Sequence, residues 1–174
     1  FAGSTRVGRI TGELAGRHRK PALLELGGKA PLVVLEDADL DQAASAAAFG
    51  SFMNQGQICM STERIVVDER IADEFAQRLA AKAQTLKTGD PRAGDVALGS
   101  LIGEPATAQV LALVEDAVAK GARLLTPLKH HDAYMEPVVL DGVTPEMRIY
   151  SEESFGPVAS IVRVKDVDEA IRIA

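Results

Sequence analysis

The stretch Pro31-Leu32-Val33-Val34-Leu35-Glu36, running on into Asp37-Ala38-Asp39, decides the fold. Its four central residues form an apolar run between a proline and a carboxylate, the pattern of a buried strand. Asp37 and Asp39 offer side-chain caps for a helix from Leu40 to about Asn54. That helix is crowded with Ala, Ser and Gly, so its neighbours can pack very close. It delivers the chain into a loop, Gln55–Ser61, and then into a second apolar run, Glu63-Arg64-Ile65-Val66-Val67-Asp68. A strand, a helix and a strand in that order are the unit of a parallel sheet.

The same alternation continues in both directions. Upstream, Phe1-Ala2-Gly3-Ser4-Thr5-Arg6-Val7-Gly8 is a small-residue turn opening a helix to about Arg17, with Ser4 or Thr5 as N-cap. Arg17-His18-Arg19-Lys20 reads as cations in that helix's last turn, complementing the macrodipole before Pro21 ends it. Ala22 to Leu26 is strand-like. Downstream, Arg70 to Leu86 is an amphipathic helix with Ile71, Phe75, Leu79 and Ala83 on one face. A glycine- and proline-containing loop covers Lys87 to Gly103, and Pro105 starts a further helix. Its apolar stripe is Val110, Leu111, Val114, Ala117 and Val118. Ala122 to Thr126, Glu136 to Val143 and Pro157 to Val164 read as strands, and Asp166 caps a final helix. The pattern predicts one α/β unit, a largely parallel sheet with helices on both faces.

Composition narrows the function classes. An apolar share of 47% is ordinary for a globular chain and speaks against disorder. A net charge of −6 disfavours nucleic acid or an anionic membrane as partner. No apolar run reaches membrane-spanning length. One cysteine in 174 residues leaves no internal disulfide, which suits a reducing cytoplasm. The chain starts at Phe1 and stops at Ala174 inside a helical pattern, so the expectation is a piece of a longer protein.

That cysteine, Cys59 in Asn54-Gln55-Gly56-Gln57-Ile58-Cys59-Met60-Ser61, lies between a helix C-terminus and a strand start, where functional loops on α/β scaffolds sit. A thiolate is the strongest nucleophile among ordinary side chains, and a nearby carboxylate can move the protons its chemistry requires. A small buried apolar residue is the plain alternative. Glu25 is the misfit in an apolar run, Ala22-Leu23-Leu24-Glu25-Leu26-Gly27-Gly28-Lys29. Burial there would raise its pKa and suit a general base, whereas a solvent-facing strand residue would carry no such role. Gly27 and Gly28 let another backbone or a ligand approach. Gly-Gly-Lys is no P-loop, because position 23 is Leu23 and Ala30 stands where a Ser or Thr would bind magnesium. The start of the first helix can receive a phosphate on its free N–H groups, although its glycine spacing is not the dinucleotide fingerprint. His130 and His131 are adjacent and lack Cys or carboxylate support at ligand spacing, so no metal site is expected.

Four of these motifs resemble those of the NAD(P)-dependent aldehyde dehydrogenase superfamily, in the family's order. Phe1–Gly8 is similar to its cofactor-binding turn and Glu25-Leu26-Gly27-Gly28-Lys29 to its general-base motif. Gly56-Gln57-Ile58-Cys59 is similar to its nucleophile motif, and Glu153-Ser154-Phe155-Gly156-Pro157 to its cofactor-contacting segment. The resemblance implies Cys59 as nucleophile and Glu25 as the base that activates water. It implies Glu153 on the nicotinamide-side ribose, Phe155 near the nicotinamide, and Gly3, Ser4 and Gly27 among the cofactor contacts. It also implies an oxyanion donor in the Cys59 backbone N–H, with a second, an Asn side chain, before Phe1. Residues 1–20 resemble the tail of the cofactor-binding domain, and 21–174 the catalytic domain cut short at its C-terminus. NAD is expected over NADP, in a parent that is a homodimer or homotetramer. Cys59-Met60-Ser61-Thr62-Glu63-Arg64 and Gly142–Tyr150 are similar to members acting on salicylaldehyde, vanillin or benzaldehyde. Retention of Glu25 argues against the CoA-acylating branch. The rivals are a cysteine hydrolase with His130 or His131 as base, and a fragment serving only as a structural or interaction module. The chain alone is expected to oxidise aldehydes poorly or not at all.

Overall fold

The computed structural model describes residues 1–174 and contains five α-helices and seven strands. Helix α1 spans Thr5–Arg17, α2 Leu40–Phe52, α3 Glu69–Thr85, α4 Glu104–Ala119 and α5 Val167–Ile173. The strands are β1 Pro31–Val34, β2 Arg64–Asp68, β3 Arg123–Leu124, β4 His130–His131, β5 Tyr134–Met135, β6 Val138–Asp141 and β7 Val158–Val164. Five of them form one sheet in the order β1-β2-β7-β6-β3. β1, β2, β7 and β6 run parallel, with Val33 opposite Val66, Val66 opposite Val162 and Leu140 opposite Ser160. Only β3, at the edge, is antiparallel. β4 and β5 form a separate small hairpin.

Side chains alternate along a strand, and here both sets are buried, which is why the central strands read as unbroken apolar runs. Ile65, Val67, Val139, Ala159 and Ile161 meet Phe52, Phe75 and Leu79 of α2 and α3 on one face. On the opposite face Val138, Leu140, Val158 and Val162 pack against Val110, Leu113 and Val114 of α4. Val66 and Val164 pack against Ala170 of α5. Helices cover both faces, as the alternation predicts.

Several boundaries differ from the sequence reading. Ala22–Leu26 is not a strand; it makes a single bridge, between Ala2 and Glu25, because only residues 1–3 lie beside it. α1 ends at Arg17 as expected, but Arg19 is left-handed (φ 53°), so of Arg17–Lys20 only Arg17 belongs to its last turn. α2 ends at Phe52 and a 3₁₀ turn, Met53–Gly56, follows. β3 and β6 are shorter than their apolar runs, since each pairs only where a neighbour reaches it. On α4, Leu113 is fully buried while Val118 is exposed, which rotates the buried stripe away from its expected edge. No helix is long and apolar enough to cross a membrane.

Candidate active site

Three loops converge at one end of the sheet. The first follows α2. Asn54 (φ 52°), Gln55 (φ 58°) and Gly56 (φ 70°) are left-handed in succession, which reverses the chain sharply before Cys59. Asn and Gly tolerate that region; Gln rarely does, and such strain concentrates at functional sites. The turn is held from within and from outside. Ser61 N–H donates to the Ile58 carbonyl at 2.9 Å, Thr62 N–H to the Gly50 carbonyl at 2.9 Å, and Ser51 Oγ to the Thr62 carbonyl at 2.8 Å. Gln57 fixes its flank, its Oε1 accepting from Ile102 N–H at 2.9 Å. Cys59 itself is exposed.

The second loop carries Glu25. Gly3 N–H donates to the Glu25 carbonyl at 3.0 Å and Glu25 N–H to the Phe1 carbonyl at 2.8 Å. This seats the start of α1 beside Glu25. α1 also rests on the loop at Gly8, where any larger residue would collide with the Leu26 side chain. Ser4 caps α1, its Oγ accepting from Val7 N–H at 3.4 Å. Of the two surroundings the sequence left open for Glu25, the structure shows the solvent-facing one: the residue is exposed, because no element of this chain lies over it.

The third loop follows the 3₁₀ turn Arg148–Tyr150. Of its two adjacent carboxylates, Glu152 is held by Arg148 in two hydrogen bonds of 2.8 and 2.9 Å. Glu153 instead lies over Gly27, where a Cβ would overlap its carboxylate, and Oε1 accepts from Gly28 N–H at 3.3 Å. Burial pushes the Glu153 carboxyl above its ordinary value, opposed by the Gly28 N–H and reinforced by the charge of Glu63. Phe155 is left-handed (φ 49°).

Together these loops enclose a cleft of about 670 Å³. Its walls include Cys59, Glu25, Gly3, Ser4, Gly27, Glu153 and Phe155, seven residues drawn from four separate parts of the sequence. His130 and His131 are exposed on the β4–β5 hairpin and do not line it. The arrangement offers an accessible thiol, two carboxylates and an apolar wall of Ile58, Ile102 and Phe155. The first turn of α1 holds no acidic side chain, so the positive end of its dipole is left for a phosphate.

The sequence reading missed the group that joins the loops. Glu63 is almost fully buried and accepts from Ser154 N–H at 2.8 Å, Ser154 Oγ at 2.9 Å and Phe155 N–H at 3.0 Å. It also receives Lys29 Nζ at 2.6 Å. Desolvation lowers the Lys29 pKa, and the Glu63 charge opposes that shift. In the sequence Glu63 is simply the first residue of the run 63–68; the one available signal is a carboxylate immediately before Arg64 in an otherwise apolar strand.

An α/β domain whose loops bring an exposed thiol, two carboxylates and a helix start to one cleft falls in the broad α/β class of layered domains. Within it the assignment is specific: the aldehyde dehydrogenase family matches residues 1–174, and the chain belongs to that family. It is 56% identical over 174 residues to the vanillin dehydrogenase of Pseudomonas fluorescens, covering all of this chain and 36% of that protein. It is 45% identical over 174 residues to a benzaldehyde dehydrogenase [NAD(+)] of Pseudomonas putida, again over all of this chain and 36% of the relative. The crystal structure of a salicylaldehyde dehydrogenase from Pseudomonas putida G7, complexed with salicylaldehyde, superposes with a TM-score of 0.96 at 50% identity. That match covers 100% of this chain and 36% of the other. The chain thus spans about a third of the length of the relatives it matches. Solved neighbours include both NAD-dependent and NADP-dependent dehydrogenases.

Proposed function

We propose that this chain is the thiol-bearing part of a dehydrogenase that oxidises an aldehyde, aromatic in class, to its carboxylic acid with NAD or NADP, NAD preferred. The observation that carries the reading is the shared cleft of Cys59, Glu25, Glu153 and Phe155. Cys59 Sγ attacks the carbonyl carbon, and the oxyanion of the resulting thiohemiacetal takes a hydrogen bond from the Cys59 backbone N–H. The dinucleotide, when bound, accepts the hydride released from that carbon. The acyl group is then left on sulfur as a thioester. Glu25 takes a proton from water, the hydroxide adds to the thioester carbonyl, and the acid leaves as Cys59 is freed. Glu25 is solvent-facing, so its part as base is supported by its sharing the cleft with Cys59 and by the family motif, not by burial.

The fit to a dinucleotide rests on this chain's own shape. Gly27 leaves the space that the Glu153 carboxylate fills, so that carboxylate stands at the cleft wall as an acceptor for ribose hydroxyls. Ser4 and the start of α1 suit the phosphates, Gly3 the close backbone approach, and Phe155 one face of the nicotinamide. Residues 1–20 belong on this reading to the cofactor-binding domain and 21–174 to the catalytic domain. A complete subunit would form a cytoplasmic homodimer or homotetramer, with no nucleic acid or membrane as partner. The aromatic substrate class draws support from the vanillin, benzaldehyde and salicylaldehyde relatives.

The test is intact-protein mass after brief exposure of the 174-residue chain to an activated aryl ester, alongside Cys59→Ala and Glu25→Gln. One acyl adduct on the parent, none on Cys59→Ala and a persistent adduct on Glu25→Gln are expected. Labelling that survives in Cys59→Ala overturns the assignment of the nucleophile. The chain alone should produce no NADH from an aldehyde, since the second oxyanion donor and the rest of the cofactor site belong to the remainder of a complete subunit. A hydrolase using His130 or His131 finds no support, because neither histidine lines the cleft.

A further inference from the structure

The geometry points to Glu63 as a positioning residue that sets the cofactor side of the cleft while leaving the nucleophile turn untouched; this rests on the reading above. Glu63 lies four residues after Cys59, and Lys29 four residues after Glu25. Their side chains meet beneath the cleft, 9% and 5% exposed for Lys29 and Glu63 respectively. The carboxylate reaches across to the loop of Glu153 and there takes the N–H groups of Ser154 and Phe155 and the Ser154 hydroxyl. The carboxylate therefore ties the Glu25 loop, through Lys29, to the 153–155 loop.

The ties are unequal, and that gives Glu63 a selective effect. The Cys59 turn is closed by backbone and Ser51 hydrogen bonds that do not involve the Glu63 side chain. The 153–155 loop has no comparable internal closure. Phe155 is left-handed at φ 49°, a conformation a bulky residue leaves unless something holds it, and its N–H is held by Glu63 Oε1 at 3.0 Å. When the carboxylate is replaced, Phe155 can relax toward ordinary backbone angles and carry Glu153 away from Gly27. Acylation of Cys59 needs neither residue, whereas dinucleotide binding and hydride acceptance need both. Glu63→Gln keeps the shape but offers an amide N–H₂ where one of the oxygens must accept from Ser154 or Lys29.

The experiment uses a full-length subunit in which residues 1–174 replace the matched segment of the Pseudomonas fluorescens vanillin dehydrogenase. The parent graft is measured first. If it neither makes NADH from vanillin nor acylates at Cys59, the functional reading fails, independently of Glu63. With an active parent, Glu63→Gln should raise KM for NAD by roughly 10- to 100-fold, the scale of about 1 Å of misplacement. The rate of Cys59 acylation by an aryl ester should change by less than about 3-fold, since its turn keeps its own hydrogen bonds. Ser154→Ala removes one donor to Glu63 without leaving a buried charge unpaired, so it tests the same split should Glu63→Gln not fold. It should raise KM for NAD by about 2- to 10-fold, less than the full loss of a hydrogen bond to a charged acceptor because the two backbone N–H donors to Glu63 remain. A parallel fall in acylation and NADH production, or a lower melting temperature with KM for NAD unchanged, overturns the proposal.

Discussion

Gly56→Ala probes the close backbone approach of the nucleophile turn to Gly156 and Ser51. Gly56 has φ +70°, and a Cβ built there would lie 2.7 Å from the Gly156 carbonyl carbon and 3.0 Å from the Ser51 carbonyl oxygen, as well as overlapping the Gly156 oxygen. All three are backbone atoms, so no side chain can swing aside. Gly142 supplies the comparison, with φ +72° and nothing within 4 Å of its would-be Cβ. Gly142→Ala therefore isolates the left-handed penalty, about 1–2 kcal/mol. Gly56→Ala adds an overpacking cost of about 1–3 kcal/mol, for a total of roughly 2–5 kcal/mol. Urea unfolding of the 174-residue chain, followed by circular dichroism, gives both values from the shift in midpoint at constant slope. Equal losses in the two variants would refute the clash, and a loss below about 0.5 kcal/mol in both would refute the backbone argument as well.

Two pH dependences follow from the carboxylates. Asp141 is fully buried; desolvation alone would raise its pKa, but Arg163, at 2.9 and 2.8 Å, and Arg123 together hold it below the ordinary 3.8. A folded pKa below the unfolded value gives stability that is complete above 3.8 and is lost as pH falls through the folded value. Urea midpoints of Asp141→Asn should drop by about 3 kcal/mol equivalent at neutral pH and lose that acid limb; an unchanged limb would assign it elsewhere. Glu153 shifts the opposite way, chiefly through desolvation. As pH falls through its raised pKa, above 4.5, the carboxylate loses an acceptor and NAD affinity of the grafted subunit should weaken. Fluorescence titration of NADH between pH 4.5 and 8 measures this, and persistence of the same limb in Glu153→Gln would exclude Glu153 as its origin.

The sequence exposed the site unevenly. Cys59 stood out only through its context, since a lone cysteine reads as readily as a small buried apolar residue; its exposure in the cleft speaks against that alternative. Glu153 was legible only through resemblance, since nothing local separates it from Glu152; the ion pair of Glu152 with Arg148 makes that distinction, and it is a contact in space. The sequence left Glu25 open between buried and solvent-facing because an apolar run reports average surroundings, while exposure depends on whether another element lies across the residue. Glu63 was hidden for the same reason: its partners Ser154 and Phe155 are separated from it by 91 and 92 positions.

The sequence by itself determined the α/β class, most of the order of strands and helices, and a cap for α1 at Ser4 or Thr5, because periodicity and capping are set by residues within a few positions of one another. Only the tertiary structure decided the strand order β1-β2-β7-β6-β3, the shared cleft, and the buried carboxylate that joins its loops. Those features depend on contacts between distant segments, and such contacts leave no period in the chain to read.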